Sequence, residues 1–227
     1  MKLDCGPLQH FAVIRRRVFH MPITAADILA AEKYLSRRDP LMRRLISRHK
    51  PCGLAGKRRD PFHVLCTSIV SQQLSTKAAD TIQGRVMLHV GAKKHLKPLH
   101  IIEAQHDDLR ACGLSHAKAR WLRAIAQQVH AGEFSFAKLK RMDDEAAIEA
   151  LDALPGIGRW TAEMYLIFAL QRLDIFAMDD VGLRRSVNQL YNAGKPLDEK
   201  HTLKISAAWA PYRSVASWYL WRVADGD

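Results

Sequence analysis

Pro155, Gly156 and Gly158 crowd into the run Leu154-Pro155-Gly156-Ile157-Gly158-Arg159-Trp160-Thr161, between two stretches of helix-forming sequence. No helix continues through such a run. Proline lacks the backbone N–H and obstructs the preceding turn, while glycine weakens a helix and permits positive φ. One helix must end near Leu154 and another begin near Arg159, with a tight turn between. Glycine lets an outside group approach the backbone there, and Ile157 can anchor the turn in a core. The helix starting near Arg159 directs free N–H groups and its positive dipole end outward, which suits a phosphate oxygen. Gly-x-Gly alone reads first as an ordinary glycine turn between packed helices. Pro155, Arg159 and Thr161 in register, in a basic chain, favour the anion-binding reading.

The rest of the chain is punctuated in the same way, with hardly a convincing strand. Thr24 N-caps a helix through about Arg38, and Asp39-Pro40 opens another with proline at its first position. A basic, glycine-containing loop at 50–60 precedes Phe62, Leu65, Cys66, Ile69 and Val70, which follow a helical period. The Gln72-Gln73-Leu74 break leads to a helix from Ser75 to about Val90, stopped by Gly91. Short helices at Pro98–Glu103 and Asp107–Cys112 end at Gly113, and Ser115 caps a longer one running from His116 to Ala131. Asp143 or Asp144 opens the helix that runs to the Leu154-Pro155 break. Residues 159–171 form the next helix, with Trp160, Met164, Ile167 and Phe168 as its expected buried side. A helix from about Val181 to Tyr191 has Asp179-Asp180 just before its first turn, and two more follow at about 198–209 and 211–224.

The expected fold is all-α, with two helical subdomains and a cleft between them. Residues 62–180 would form one subdomain, containing the hairpin at 154–161. Helices of 1–61 would pack with those of 181–227 to form the other. Lys and Arg number 35 against 23 Asp and Glu, a net charge of +12 and a pI near 9.8, which favours a polyanionic partner. Cys5, Cys52, Cys66 and Cys112 form no C-x-x-C pair, which argues against a zinc ribbon or a closely ligated iron–sulfur cluster and fits a reducing, intracellular setting. Cys66 and Cys112 read as buried thiols. Met1–Pro7 has no long apolar core of a signal peptide, no run is long enough for a membrane span, and no histidine pair suggests a metal site.

Leu154–Ala162 followed by Asp179-Asp180 resembles the helix-hairpin-helix DNA glycosylase superfamily, and within it the DNA-3-methyladenine glycosylase II group. The likeness extends from about Phe62 to Arg222. It includes Ile69–Ser75, Gly113–Lys118, and Trp209-Ala210-Pro211-Tyr212-Arg213-Ser214 with Trp221. The resemblance implies a monofunctional glycosylase of base excision repair. Such an enzyme flips an alkylated purine (3-methyladenine or 7-methylguanine) out of the duplex and hydrolyses its N-glycosidic bond. It implies no cofactor, a monomer, an intracellular place with DNA, and double-stranded DNA containing damaged bases as partner. A glycosylase for deaminated or oxidised purines, or a non-catalytic helix-hairpin-helix DNA-binding protein, remain the alternatives.

The same likeness assigns the catalytic carboxylate to Asp180, with Asp179 a capping or supporting neighbour; helix N-capping is the plainer reading of both. It makes Trp160 and Trp221 the residues that stack on the extruded base, where a π-face attracts a cationic ring, with Met164 lining the pocket. Trp209 and Trp218 read as core. Gly156, Gly158, Arg159 and Thr161 would hold the DNA backbone, and Gln73 or Leu74 would fill the vacated stack. Lys118, with Arg120, would hold a phosphate unless merely solvated. Backbone carbonyls of Leu154 and Ile157 would hold a monovalent cation. Bifunctional relatives carry a lysine where Trp160 stands, so strand cleavage through a Schiff base is not expected. The endonuclease III cysteine cluster is also absent.

Overall fold

The computed structural model describes residues 22–56 and 60–226. Cys5, the amino-terminal segment and residues 57–59 of the basic loop lie outside the described residues.

Thirteen helices make up the regular structure of the described residues: α1 (Ala25–Arg38), α2 (Pro40–His49), α3 (Pro61–Ser71), α4 (Thr76–His89), α5 (Pro98–Glu103), α6 (His106–Ala111), α7 (His116–Ala131), α8 (Phe136–Leu139), α9 (Asp144–Asp152), α10 (Arg159–Phe168), α11 (Val181–Tyr191), α12 (Glu199–Ala207) and α13 (Arg213–Asp225). Most begin where a side-chain oxygen satisfies a free N–H of the first turn. Thr24 and Asp27 form a reciprocal capping box on α1, Asp39 accepts from Leu41 and Met42 N–H groups ahead of Pro40, and Ser115 accepts from Lys118 N. Asp143 caps α9, and Gly132 in the left-handed region closes α7. The four-residue helix α8 was not expected, being too short to show a period. α10 stops at Phe168 rather than near 171.

The principal helix contacts fall into two sets, one of α1, α2, α11 and α13, the other of α3–α7 with α9 and α10. A single apolar core runs through both. Two buried carboxylates join distant parts of the first set. Glu32 of α1 accepts hydrogen bonds from Cys52 N at 3.0 Å and from the Tyr219 hydroxyl at 2.6 Å. Asp39, besides capping α2, accepts from the Tyr191 hydroxyl at 2.5 Å and from Trp209 Nε1 at 3.0 Å. Both acids are buried, and leaving such a group without a hydrogen-bond partner costs about 1–3 kcal/mol.

Cys52, Cys66 and Cys112 are free and buried, and desolvation pushes all three thiols up, which keeps them protonated and unreactive. Among the described residues no helix is long and apolar enough to cross a membrane. Nor is any group of three or more His, Cys, Asp or Glu placed to hold a metal ion.

Candidate active site

The hairpin between α9 and α10 is built as its glycines require. Gly156 has φ +79°, and a Cβ there would stand 2.3 Å from Cε3 of Trp121 on α7, so only glycine fits the indole beneath it. Leu154 and Ile157 are buried on either side. Gly158 is the N-cap of α10, with φ −99° and open space where a Cβ would stand; no side chain caps this helix. The N–H groups of its first turn are therefore free of a side-chain acceptor.

From α10 the chain passes through 169–179 to α11. Ser214 of α13 fixes this connection, its Oγ accepting from Ile175 N at 2.9 Å. Asp180 N then donates to Ala177 O at 3.1 Å. Asp180 is the N-cap of α11. Its Oδ1 accepts from Leu183 N at 2.7 Å and from Trp221 Nε1 at 3.2 Å, and its Oδ2 accepts from Trp160 Nε1 at 2.8 Å. A helix cap and two indoles from separate helices thus hold one carboxylate. Gly182 leaves room for this, since a Cβ there would lie 3.2 Å from Oδ1 and 3.6 Å from Trp221 Cδ1.

Asp180 is 9% exposed, but its surroundings are not sealed: Trp160 is 43% exposed and Val181 also faces outward. The Trp160 indole presents its N–H edge to the carboxylate and leaves ring surface open. Trp221 is half-buried with one face stacked on Phe168, centroids 5.6 Å apart at 27°. Three N–H donors directed at one carboxylate fix its position.

Several expected residues take other places. Trp160 does not lie on the buried side of α10; that face is made by Thr161, Ala162, Glu163, Tyr165, Leu166 and Ile167, while Met164 is only partly buried. Asp179 does not cap α11, because Asp180 does; Asp179 is exposed in the preceding turn. Arg159 is engaged by protein carboxylates: Nη1 and Nη2 donate to Glu145 at 2.5 and 2.9 Å, and Nε to Glu163 at 3.2 Å, bracing α9 against α10. Thr161 is buried with its hydroxyl 3.4 Å from Gln72 Nε2. The Lys118 ammonium donates to the carbonyls of Val70 and Gln72 at 2.8 and 2.6 Å. Gln73 and Leu74 do stand exposed, Gln73 in the left-handed region at φ +58°. Leu154 O accepts from Ile157 N at 3.1 Å, leaving it one lone pair. Trp209 is fully buried and Trp218 partly so.

Glu163 was not singled out by the sequence. It is buried next to Arg159, and desolvation outweighs that cation, with Asp179 adding repulsion, to push its carboxyl up to about 7. The folded protein thus keeps on Glu163 a proton that the unfolded chain releases at about pH 4.5. Its contribution to stability is full below that value and is lost as pH rises through about 7. Glu163→Gln is expected to flatten this loss, making the variant more stable relative to wild type by about 1–3 kcal/mol at pH 8 compared with pH 5. Denaturant melts at the two values measure it; an unchanged difference would mean that Glu163 stays charged throughout.

A glycine hairpin opening an uncapped helix, beside a carboxylate held by exposed and half-exposed indoles, defines an all-helical helix-hairpin-helix protein. Comparison with known proteins agrees. A family model described as HhH-GPD superfamily base excision DNA repair protein matches residues 66–211, and the chain belongs to that superfamily. DNA-3-methyladenine glycosylase 1 of Schizosaccharomyces pombe is 33% identical over 202 residues, covering 87% of this chain and 88% of that protein. The crystal structure of a Bacillus halodurans DNA-3-methyladenine glycosidase superposes with a TM-score of 0.74 at 37% identity, over 86% of this chain and 88% of that one. The S. pombe 3-methyladenine glycosylase in complex with abasic DNA matches with a TM-score of 0.74 at 32% identity, over 86% of this chain and 97% of that one.

Proposed function

We propose that this protein is a monofunctional DNA glycosylase of base excision repair that releases alkylated purines, 3-methyladenine and 7-methylguanine, from double-stranded DNA. The observation that carries the reading is Asp180, held by Trp160 and Trp221 at a partly open surface next to the hairpin. The superfamily membership and the glycosylase relatives support it.

In this reading the Gly156–Gly158 turn and the free N–H groups of α10 take a backbone phosphate. Gln73 or Leu74 enters the vacated stack as the damaged nucleotide swings out, at a cost of a few kcal/mol that is least for a damaged pair. The cationic base lies on the open ring surface of Trp160, with Trp221 and Met164 completing its surroundings. The Trp160 hydrogen bond to Oδ2 then brings the carboxylate to the sugar side. The N-glycosidic bond breaks with its electron pair going to the base, which leaves neutral. Asp180 stabilises the positive charge left on the sugar. A water oxygen bonds to C1′ and gives its proton to the carboxylate and on to solvent, leaving an abasic site. A monovalent cation on the Leu154 and Ile157 carbonyls would assist the phosphate grip. Trp160 offers no amine for a Schiff base, hence no lyase step. Assignment to the type II group, a monomer acting on intracellular DNA, and the division of subdomains at 62 and 180 belong to the same reading.

Incubation with duplex DNA treated with a methylating agent is expected to liberate free 3-methyladenine and 7-methylguanine and leave the strand intact until alkali is added. Release of no methylated purine would sink the proposal. A borohydride-trapped covalent adduct would overturn its monofunctional part.

A further inference from the structure

Gln72 and Lys118 connect two parts of the molecule that the sequence keeps far apart. α3 ends at Ser71, Gln72 follows as its C-cap, and the chain turns through Gln73 and Leu74. The Lys118 ammonium, from the first turn of α7, donates to the carbonyls of Val70 and Gln72, placing a cation at the negative end of α3. The Gln72 side chain reaches the other way: Nε2 donates to Gly156 O at 2.9 Å and lies 3.4 Å from the Thr161 hydroxyl. One residue is therefore gripped at its backbone by α7 and grips the hairpin with its side chain.

The turn beyond it is under local strain. Gln73 is not glycine yet sits at φ +58°, a conformation that persists where its surroundings enforce it. Leu74, 40% exposed, projects from the same turn. The turn borders an open pocket of about 210 Å³ lined also by Val70, Ile82, Leu114 and Lys118, so a loosened turn has space to move into.

We propose that Lys118 and Gln72 are positioning residues for base extrusion, holding the Gln73-Leu74 turn at a fixed height relative to the Gly156–Gly158 hairpin. The proposal rests on the glycosylase reading. A side chain enters a base stack only if it stands at the right distance from the phosphate grip. The Gln72 amide sets that distance and the Lys118 ammonium keeps Gln72 in place. Neither residue touches the reacting atoms.

The test compares excision of a single 7-methylguanine from an oligonucleotide annealed to its complement with excision from the same strand unpaired. Single-turnover rates are taken at saturating enzyme. Lys118→Met and Gln72→Met are each expected to slow excision from the duplex by about tenfold to a hundredfold, and excision from the single strand by less than about twofold. Gln72→Met leaves the Lys118 contacts intact, so it decides the matter if Lys118→Met proves unfolded by circular dichroism. Equal losses on both substrates, or none on either, would overturn the proposal. So would weaker duplex binding with a shallower salt dependence and an unchanged rate at saturation, which would make Lys118 a phosphate contact. Failure of the wild-type protein to excise from either substrate would instead count against the glycosylase reading.

Discussion

Asp180→Asn is expected to lower the single-turnover rate of purine release by at least about a hundredfold to a thousandfold, the loss typical of removing one preorganised electrostatic contact. Binding to an abasic duplex should stay close to wild type. Asparagine removes the charge while keeping two of the three contacts, because its carbonyl oxygen can still accept from Leu183 N and Trp221 Nε1, as Oδ1 does now. The helix cap survives, at a stability cost of about 1 kcal/mol or less. What changes is the other atom: an NH₂ group would face the Trp160 N–H, donor against donor, where Oδ2 now accepts at 2.8 Å. Release can be followed chromatographically and binding by fluorescence anisotropy. Release within about tenfold of wild type would show that the carboxylate charge is not what drives the reaction. Asp180→Ala is the less informative change, because it removes cap and charge together.

Gly156→Val is the second large effect expected, and it acts on the fold. A left-handed φ of +79° costs a β-branched residue about 1–3 kcal/mol. A Cβ 2.3 Å from the Trp121 ring adds overpacking of about 1–3 kcal/mol. For a chain of this size the sum corresponds to a melting temperature lower by roughly 10 °C. Trp121→Ala in the same chain should recover the steric share but not the backbone share. Gly158→Ala, at an ordinary φ with nothing near, should cost less than about 1 kcal/mol. Thermal melts of the series give the comparison. Equal losses at 156 and 158 would mean that the hairpin is not seated on Trp121 as described.

Helix boundaries were legible because they depend on neighbours in sequence. Thr24, Ser75, Ser115 and Asp143 cap within three residues, and proline at 40 follows its cap directly. The buried face of α10 was read less well. Bulk and hydrophobicity point to Trp160, yet the protein exposes it and buries Thr161 and Glu163. The exception falls where the indole N–H reaches across to Asp180 on the next helix instead of packing inward. Asp180 and the two tryptophans were visible as residue types, but their hydrogen bonds were not, since the partners lie 20 and 41 positions away. The same distance hid Gln72, whose amide finds Gly156 across 84 positions, and it hid the carboxylates that occupy Arg159. Charge and spacing nominate a cation for a phosphate. Only the folded backbone says which carbonyl or carboxylate has already claimed it.

The two buried acids of the first helices bear on how the chain can be made. Glu32 finds Tyr219 187 positions later, and Asp39 finds Trp209 170 positions later. While α1 and α2 leave the ribosome, neither acid has these partners, so at that stage both must remain hydrated. The segment bearing the hairpin is synthesised in between and can fold around α3, α7 and α10 first. Glu32 can gain its Tyr219 partner only once α13 has emerged, so the hairpin segment is already synthesised before the early helices can lock.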